Sequence, residues 1–373
     1  MIPYGRQSIN EDDIFAVVQA LKGNFLTTGP LVEQFENEIE QIVGAPSVVV
    51  SSGTAALHCA YAAIGIESGD EIITPPITFI ATQATAALMG AKIIFADVQL
   101  DTGNIDPKAV EAAITPRTKA IVAVDYAGHP ADLDELRTLA DKYGIYLIED
   151  AAHSIGSTYK NRPVGSIADI TTFSFFPTKN LTTAEGGAIS SIHTDLLRKA
   201  HRFSRQGLVR NKEEFVIKTE GAWHQEVHQF GLNYRLPDVL CALGISQIKR
   251  LSEFKGRRAE IFQRYNEAFG QLNQLTTPGI SENVSPMWHL YHIHVEPEIR
   301  ESLFNFLRSH GIIVQVNYIP AYRHPVFSRT HEYKDQFRNS DLFYNSEISL
   351  PMFFDLTDEQ LSKTIKVISK FFQ

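Results

Sequence analysis

A lysine amine does chemistry when it is held where water cannot keep it charged, and Lys179 is placed that way. It stands in ADITTFSFFPTKNLTTAEGGAIS, residues 168–190, between two runs that read as buried strands, Ile170 to Phe176 and Gly187 to Ile192. Half-buried among Phe173, Phe175 and Phe176, the amine would lose charge stabilisation and supply a free nitrogen for imine formation. A solvated lysine on a turn is the plainer alternative.

Four further places carry groups that could serve such an amine. Asp150 ends the apolar run in IYLIEDAAHSIGS, at the carboxyl edge of a sheet, where ligands bind in open α/β folds. A carboxylate buried there needs a cationic or proton-donating partner, such as a protonated pyridine nitrogen, unless it caps a following helix. His153, one turn later, is either a ligand hydrogen-bonder or a structural histidine. In SSGTAALHCAYAAIG, residues 51–65, a strand gives way to a helix through small residues. Ser52, Gly53 and Thr54 there form either an anion site at a helix N-terminus or an ordinary serine cap. Ser174, upstream of Lys179, could reach the same anion. Phe79, after the Pro-Pro turn of TPPITFIATQATAALMG, could lay its ring over a flat cofactor or belong to the core. Imine lysine, pyridinium carboxylate, flat aromatic and phosphate cup together are what pyridoxal 5'-phosphate requires. His292 and His294 would share one face of a strand near His289. No Cys or carboxylate lies at zinc spacing, so no metal is expected.

These groups need a sheet to hold them. Short apolar runs alternate with helices from Ser47 onward, at Ser47–Val50, Glu71–Thr74, Lys92–Val98, Ala120–Asp125, Tyr146–Asp150, Ile170–Phe176 and Gly187–Ile192. This pattern predicts an α/β fold with a seven-stranded, mostly parallel sheet covered on both faces. Two amphipathic helices precede it, one capped by Asn10 with Ile14, Val17, Val18 and Leu21 on a face and stopping at Gly23, the next with Val32, Phe35, Ile39 and Ile42. Asp106 with Pro107 opens a helix, and Asp132 with Glu135 reads as a capping box for another that stops near Gly144. Pro237 starts a helical region that runs to about Gly270 with a break near Ser252. A smaller α+β part follows, with strands at Trp288–Val295 and Ile312–Asn317 and helices at Arg300–His310 and Asp358–Phe371. The expected division is a large domain, 1–248, with an arm at 1–11, and a small one, 249–373.

The chain has 373 residues, 34 Lys and Arg against 43 Asp and Glu, and a formal charge of −9, which argues against nucleic acid as the main partner. It has no run of 18 apolar residues and no signal-peptide pattern, so no membrane partner is expected. Cys59 and Cys241 are its two cysteines, which suits a reducing, cytoplasmic setting. Neither a Walker A loop nor GxGxxG occurs.

The order SSGTAAL, TPPITFIAT, EDAAHSIG, SFFPTKNLTTAEGGA and GLNYRLPD resembles the DegT/DnrJ/EryC1/StrS family of sugar aminotransferases over essentially the whole chain. The resemblance implies the type I, aspartate aminotransferase-like fold of PLP-dependent transferases. It implies pyridoxal 5'-phosphate as cofactor, with pyridoxamine 5'-phosphate as intermediate, and Lys179 as the catalytic lysine. Asp150 would face the pyridine nitrogen, His153 the ring hydroxyl, Phe79 the ring, and Gly53, Thr54 and Ser174 the phosphate. Asn233 would come from a neighbouring subunit, which makes the expected unit a homodimer with a shared active site. GNID, VDYAG, LTTAEGG and VQVNYIPAY look most like the branch that serves pseudaminic acid biosynthesis. Two segments depart from that branch, Asn317 where histidine is usual and SSGT where NSAT is. By the same resemblance Tyr4, Asn24, Phe25, Leu26, Thr27, Gln315, Val316, Asn317 and Tyr318 would contact substrate. The partners implied are L-glutamate and a UDP-linked 4-keto-6-deoxy-N-acetylhexosamine. Another nucleotide-sugar aminotransferase, GDP-perosamine-type or acting on a 3-keto sugar, is the alternative, and a non-catalytic binding protein on the same fold is a further one.

Overall fold

The computed structural model describes residues 1–217, 220–328, 333 and 336–373. Strands β1 (Ser47–Val50), β2 (Glu71–Thr74), β3 (Lys92–Phe95), β4 (Thr118–Val124), β5 (Tyr146–Asp150), β6 (Ile170–Ser174) and β7 (Gly187–Ser190) form one sheet in the order β1-β7-β6-β5-β4-β2-β3. Neighbours from β3 to β6 are parallel, and β7 runs antiparallel to both β6 and β1. The expected sheet is therefore present. Four of its strands, β3, β4, β6 and β7, end earlier than their apolar runs do.

Adjacent residues of a strand point to opposite faces, so a strand buried on both sides reads as a continuous apolar run. Val50, Ile72, Val122, Ile148 and Ile189 meet Leu57, Cys59 and Tyr61 of α3 (Gly53–Ala63) on one face. On the other face, Val49, Phe173 and Ala188 meet Phe35 and Ile39 of α2 (Pro30–Val43), while Ile73, Ile121 and Leu147 meet Leu133, Leu136 and Ala140 of α6 (Leu133–Tyr143). Cys59 and Cys241 are buried free thiols.

Beyond the sheet, α8 (Asp238–Ile248) and α9 (Leu251–Phe269) break at Lys249 and Arg250. A three-stranded antiparallel sheet follows, β8 (Leu275–Thr276), β9 (Tyr291–Val295) and β10 (Glu347–Leu350), with β9 in the middle. Its core joins Ile261, Phe262 and Tyr265 of α9 to Leu303, Leu307, Ile348, Leu361, Ile368 and the arm's Ile2. No helix among the described residues is long and apolar enough to cross a membrane.

Several expectations need correction. Helix α1 (Glu11–Lys22) has its Asn10 cap, but Ile14 is 49% and Leu21 56% exposed, while Asp13 and Ala20 are buried. The reason is a polar anchor: Asp13 completes a capping box with Asn10 and accepts a 2.6 Å bond from Gln247 of α8, which turns the apolar stripe outward. In α2 the last buried position is Val43, not Ile42. Asp132 makes no side-chain cap; its carboxylate instead accepts a 2.8 Å bond from Gln99. Residues 312–317 form no full strand, only bridges from Ile312 to Ile2 and from Gln315 to Ser349.

Candidate active site

The antiparallel β7 makes the connection 175–186 a return on one edge of the sheet. Its ends are pinned to one residue: Phe175 N–H donates to Gly186 O at 2.9 Å and Phe175 O accepts from Thr183 N–H at 3.0 Å. Asn180 then ties the turn to the rest of the chain, donating to His153 O at 2.8 Å and to Met287 O at 2.9 Å. Lys179 is held in between and faces a cavity of about 450 Å³. Burial brings its amine down to about 8, against the opposing pull of Asp150. Phe173 and Phe175 are buried as expected, whereas Phe176 is largely exposed at the cavity wall.

Asp150 lines the same cavity from the end of β5. Thr82 Oγ donates to its Oδ2 at 2.8 Å and Ala152 N–H to its Oδ1 at 3.2 Å. Burial raises its pKa, with these bonds and Lys179 acting to lower it. A buried carboxylate in this state favours a positively charged neighbour. The helix it could have capped does not exist, because residues 152–156 are turns.

At the cup, Ser52 Oγ accepts from Ala55 N–H at 3.0 Å, so the serine does cap α3. That satisfies one N–H of a helix start that has several without intrahelical acceptors, and Gly53 and Thr54 remain at the cavity. A Cβ on Gly53 would lie 2.8 Å from that of Ser174, and one on Gly187 would lie 2.6 Å from the Ser52 carbonyl. Only glycine lets β6, β7 and the α3 N-terminus converge this closely. The Thr54 and Ser174 hydroxyls and the α3 N-terminus suit a phosphate monoester, and Asp150 and Lys179 in the same cavity suit a pyridine ring bearing an aldehyde, so the residues present fit pyridoxal phosphate.

Over that space stands Phe79, 59% exposed, with its ring edge-on to Tyr318 at 6.3 Å. Tyr318 OH lies 3.2 Å from His153 Nε2, and the His153 ring lies 4.3 Å from that of His289. Both imidazoles are buried and held well below the usual histidine pKa by that burial. His153 Nδ1 and His289 Nδ1 are buried with no hydrogen-bond partner among the described residues. Tyr4 and Asn317 also line the cavity; Asn317 Nδ2 donates to Tyr4 OH at 2.6 Å and to Ser349 Oγ at 3.0 Å. Sequence reasoning missed Thr82 and weighed His289 only as a metal ligand. Thr82 sits one helical turn after Phe79 in TFIATQ, a spacing that could have flagged it. His292 and His294 bond to each other at 3.0 Å, and His294 to Ser346.

Other anticipated residues lie elsewhere. Asn24 and Phe25 line a separate cavity beside α1, and Asn24, Phe25, Leu26 and Thr27 are all exposed. Asn233 is exposed, its backbone bridged to Arg205. Gln315 is exposed with its backbone paired to Ser349, and neither it nor Val316 lines the Lys179 cavity.

The model of the DegT/DnrJ/EryC1/StrS aminotransferase family matches residues 7–369. A UDP-4-amino-4,6-dideoxy-N-acetyl-beta-L-altrosamine transaminase of Campylobacter jejuni is 39% identical over 94% of this chain and 92% of its own. The spore coat polysaccharide biosynthesis protein SpsC of Bacillus subtilis is 38% identical over 98% of this chain and 96% of its own. The structure of Helicobacter pylori PseC, an aminotransferase involved in the biosynthesis of pseudoaminic acid, superposes with a TM-score of 0.93 at 31% identity, over 100% of this chain and 99% of that one. With its type I fold and these relatives, the chain belongs to the DegT/DnrJ/EryC1/StrS family and is a PLP-dependent sugar aminotransferase.

Proposed function

We propose that this enzyme moves the amino group of L-glutamate to C4 of a UDP-linked 4-keto-6-deoxy-N-acetylhexosamine, forming the 4-amino-4,6-dideoxy-N-acetyl-β-L-altrosamine nucleotide of pseudaminic acid synthesis. The observation that carries the reading is the half-buried Lys179 amine, brought down to about 8, in one cavity with Asp150 and the Ser52–Thr54 cup. Pyridoxal phosphate bound there supplies the carbonyl that takes up the amine and the electron sink that stabilises a carbanion. Gly53, Thr54 and Ser174 would hold its phosphate, Phe79 its face, His153 its ring hydroxyl, and Asp150 a positive charge at the ring nitrogen. Lys179 Nζ, neutral above about pH 8, takes the proton from the donor's Cα and later delivers one to sugar C4. Tyr4, Asn317 and Tyr318 at the mouth would position the sugar.

We further propose a homodimer. The single chain leaves Asn233 and the Asn24–Thr27 loop outside its own cavity, and Lys179 is the sole lysine or arginine among the cavity's described lining residues. An anionic nucleotide and a dicarboxylate need more positive charge than that, and a second copy supports this reading by bringing those segments across. The division near residue 248 is likewise a proposal, with α9 crossing the seam: Leu251 and Phe254 join the core of the large sheet and Phe262 that of the small one.

A second reading, amination of a GDP-linked or 3-keto sugar, is favoured by Asn317 and its bonds to Tyr4 and Ser349. The test is purified protein with pyridoxal phosphate, L-glutamate and either UDP- or GDP-linked ketosugar, following 2-oxoglutarate and aminated sugar by mass spectrometry. Amination of the UDP sugar supports the first reading; 2-oxoglutarate formation without it removes that substrate and keeps the chemistry.

A further inference from the structure

Glu185 is the second carboxylate of the Lys179 cavity, and its setting differs from that of Asp150. It is exposed to the cavity and has no hydrogen-bond or ion-pair partner for its side chain among the described residues. Its backbone, in contrast, is fixed. Thr183 Oγ donates to Glu185 O at 2.7 Å, and Thr182 Oγ accepts from Ala184 N–H at 3.0 Å, with Ala184 in the left-handed region at φ 66°. Gly186 O is pinned to Phe175 N–H. The turn thus presents one carboxylate to the cavity mouth beside the Ser52–Thr54 cup.

That is a poor place for an uncompensated negative charge. Every ligand of the proposed reaction is anionic, and like charges a few ångströms apart weaken binding. What a fixed carboxylate can gain is a hydrogen bond from a neutral donor, which is stronger to a charged acceptor than to a neutral one. Such donors lie on the hexose, the ribose and the base; of these the hexose is the part that must reach Lys179, which shares the cavity with Glu185, and it offers hydroxyls or an acetamido N–H. We propose that Glu185 is a specificity-determining residue that accepts a hydrogen bond from the acceptor sugar and takes no part in the glutamate half of the cycle. The proposal rests on the sugar-amination reading above and assigns the sugar's contact within it.

The experiment separates the two half-reactions in wild type, Glu185→Gln and Glu185→Ala. The glutamate half is read as 2-oxoglutarate released in a single turnover, and binding of the aminated nucleotide sugar by calorimetry. We expect the glutamate half to stay within about twofold, and KM for the ketosugar and Kd for the product to rise about 10- to 100-fold in Glu185→Ala, less in Glu185→Gln. Acceptors with acetamido or hydroxyl at C2 identify the donor: a penalty confined to the acetamido sugar assigns the N–H, and an equal penalty on both assigns a hydroxyl. Equal loss in both half-reactions, unchanged sugar binding, or a shift of the variants to monomers in light scattering would overturn the proposal, the last by assigning Glu185 to a subunit contact. If wild type itself fails to aminate the sugar yet releases 2-oxoglutarate, the substrate reading fails instead.

Discussion

The carboxyl edge of the large sheet and the outer face of α1 are built on opposite terms. At the edge, Asp150 and Asn180 are buried with hydrogen-bond partners from distant segments, Thr82 for Asp150 and the carbonyls of residues 153 and 287 for Asn180. On α1 the buried positions are polar or small, and Ile14, Phe15 and Leu21 stand in water together with Phe25 and Leu26 of the following loop. Trp223, 77% exposed, and Phe230, 97% exposed, lie on either side of Val227, which pairs with Leu208. Phe15 and Phe25 line one cavity, and exposed apolar side chains gathered in this way mark a surface that is normally covered. The edge's Lys179 and Asp150 are placed by their own chain, whereas the α1 face is the one the proposed second copy would cover.

The largest expected effect tests the edge. Lys179→Ala should lower turnover by roughly 10⁴-fold, since no other described lining residue carries an amine, while nucleotide-sugar binding by calorimetry persists. Turnover near wild type would break the reading of the edge. Asp150→Asn removes the charge opposite Lys179 and should cost about 10²- to 10³-fold in kcat. Phe15→Glu probes the other face. In a two-fold contact each substitution counts twice, so the dimer Kd by light scattering should rise by roughly 100-fold or more. A dimer unaffected by it would move the interface away from α1.

Two smaller effects sharpen the electrostatics. Cofactor capture by cofactor-free protein needs a neutral Lys179 amine, so its stopped-flow rate should rise with pH through about 8 and then level. Asp150 holds that value up, so Asp150→Asn should move the rise to lower pH. Glu347, which accepts from Asn317 N–H at 2.8 Å and from Ser349, is pushed up to about 8 by burial. A raised carboxyl pKa stabilises the fold fully below the unfolded value of about 4.5, and that contribution is lost as pH rises through 8. Glu347→Gln should therefore raise Tm by about a few degrees at pH 8 and by less at pH 5.

Legibility in the sequence followed the same divide. The sheet was readable because strands buried on both faces cannot hide their apolar runs, and Lys179, Asp150 and the 52–54 cup fell out of strand ends and small residues. Thr82 and Glu185 were not, since a threonine inside a helix and a glutamate on a turn look like ordinary surface chemistry until the turn geometry is known. The direction of the α1 stripe was misread because periodicity gives a face and not its partner; Asp13 and Gln247, 234 positions apart, decide it.

The pairing of β1 with β7 also fixes an order of assembly. β1 sits at the sheet's margin, where it pairs with β7 in register from Ser47 against Ser190, and Val50 bridges to Arg235. While the chain is being synthesised, the first element of the sheet must therefore wait for the last. Closure of so long a segment is slow and non-local. The Ser52–Thr54 cup and the Lys179 turn are seated by that same closure, so a ribosome-bound chain truncated before Gly187 should not retain pyridoxal phosphate.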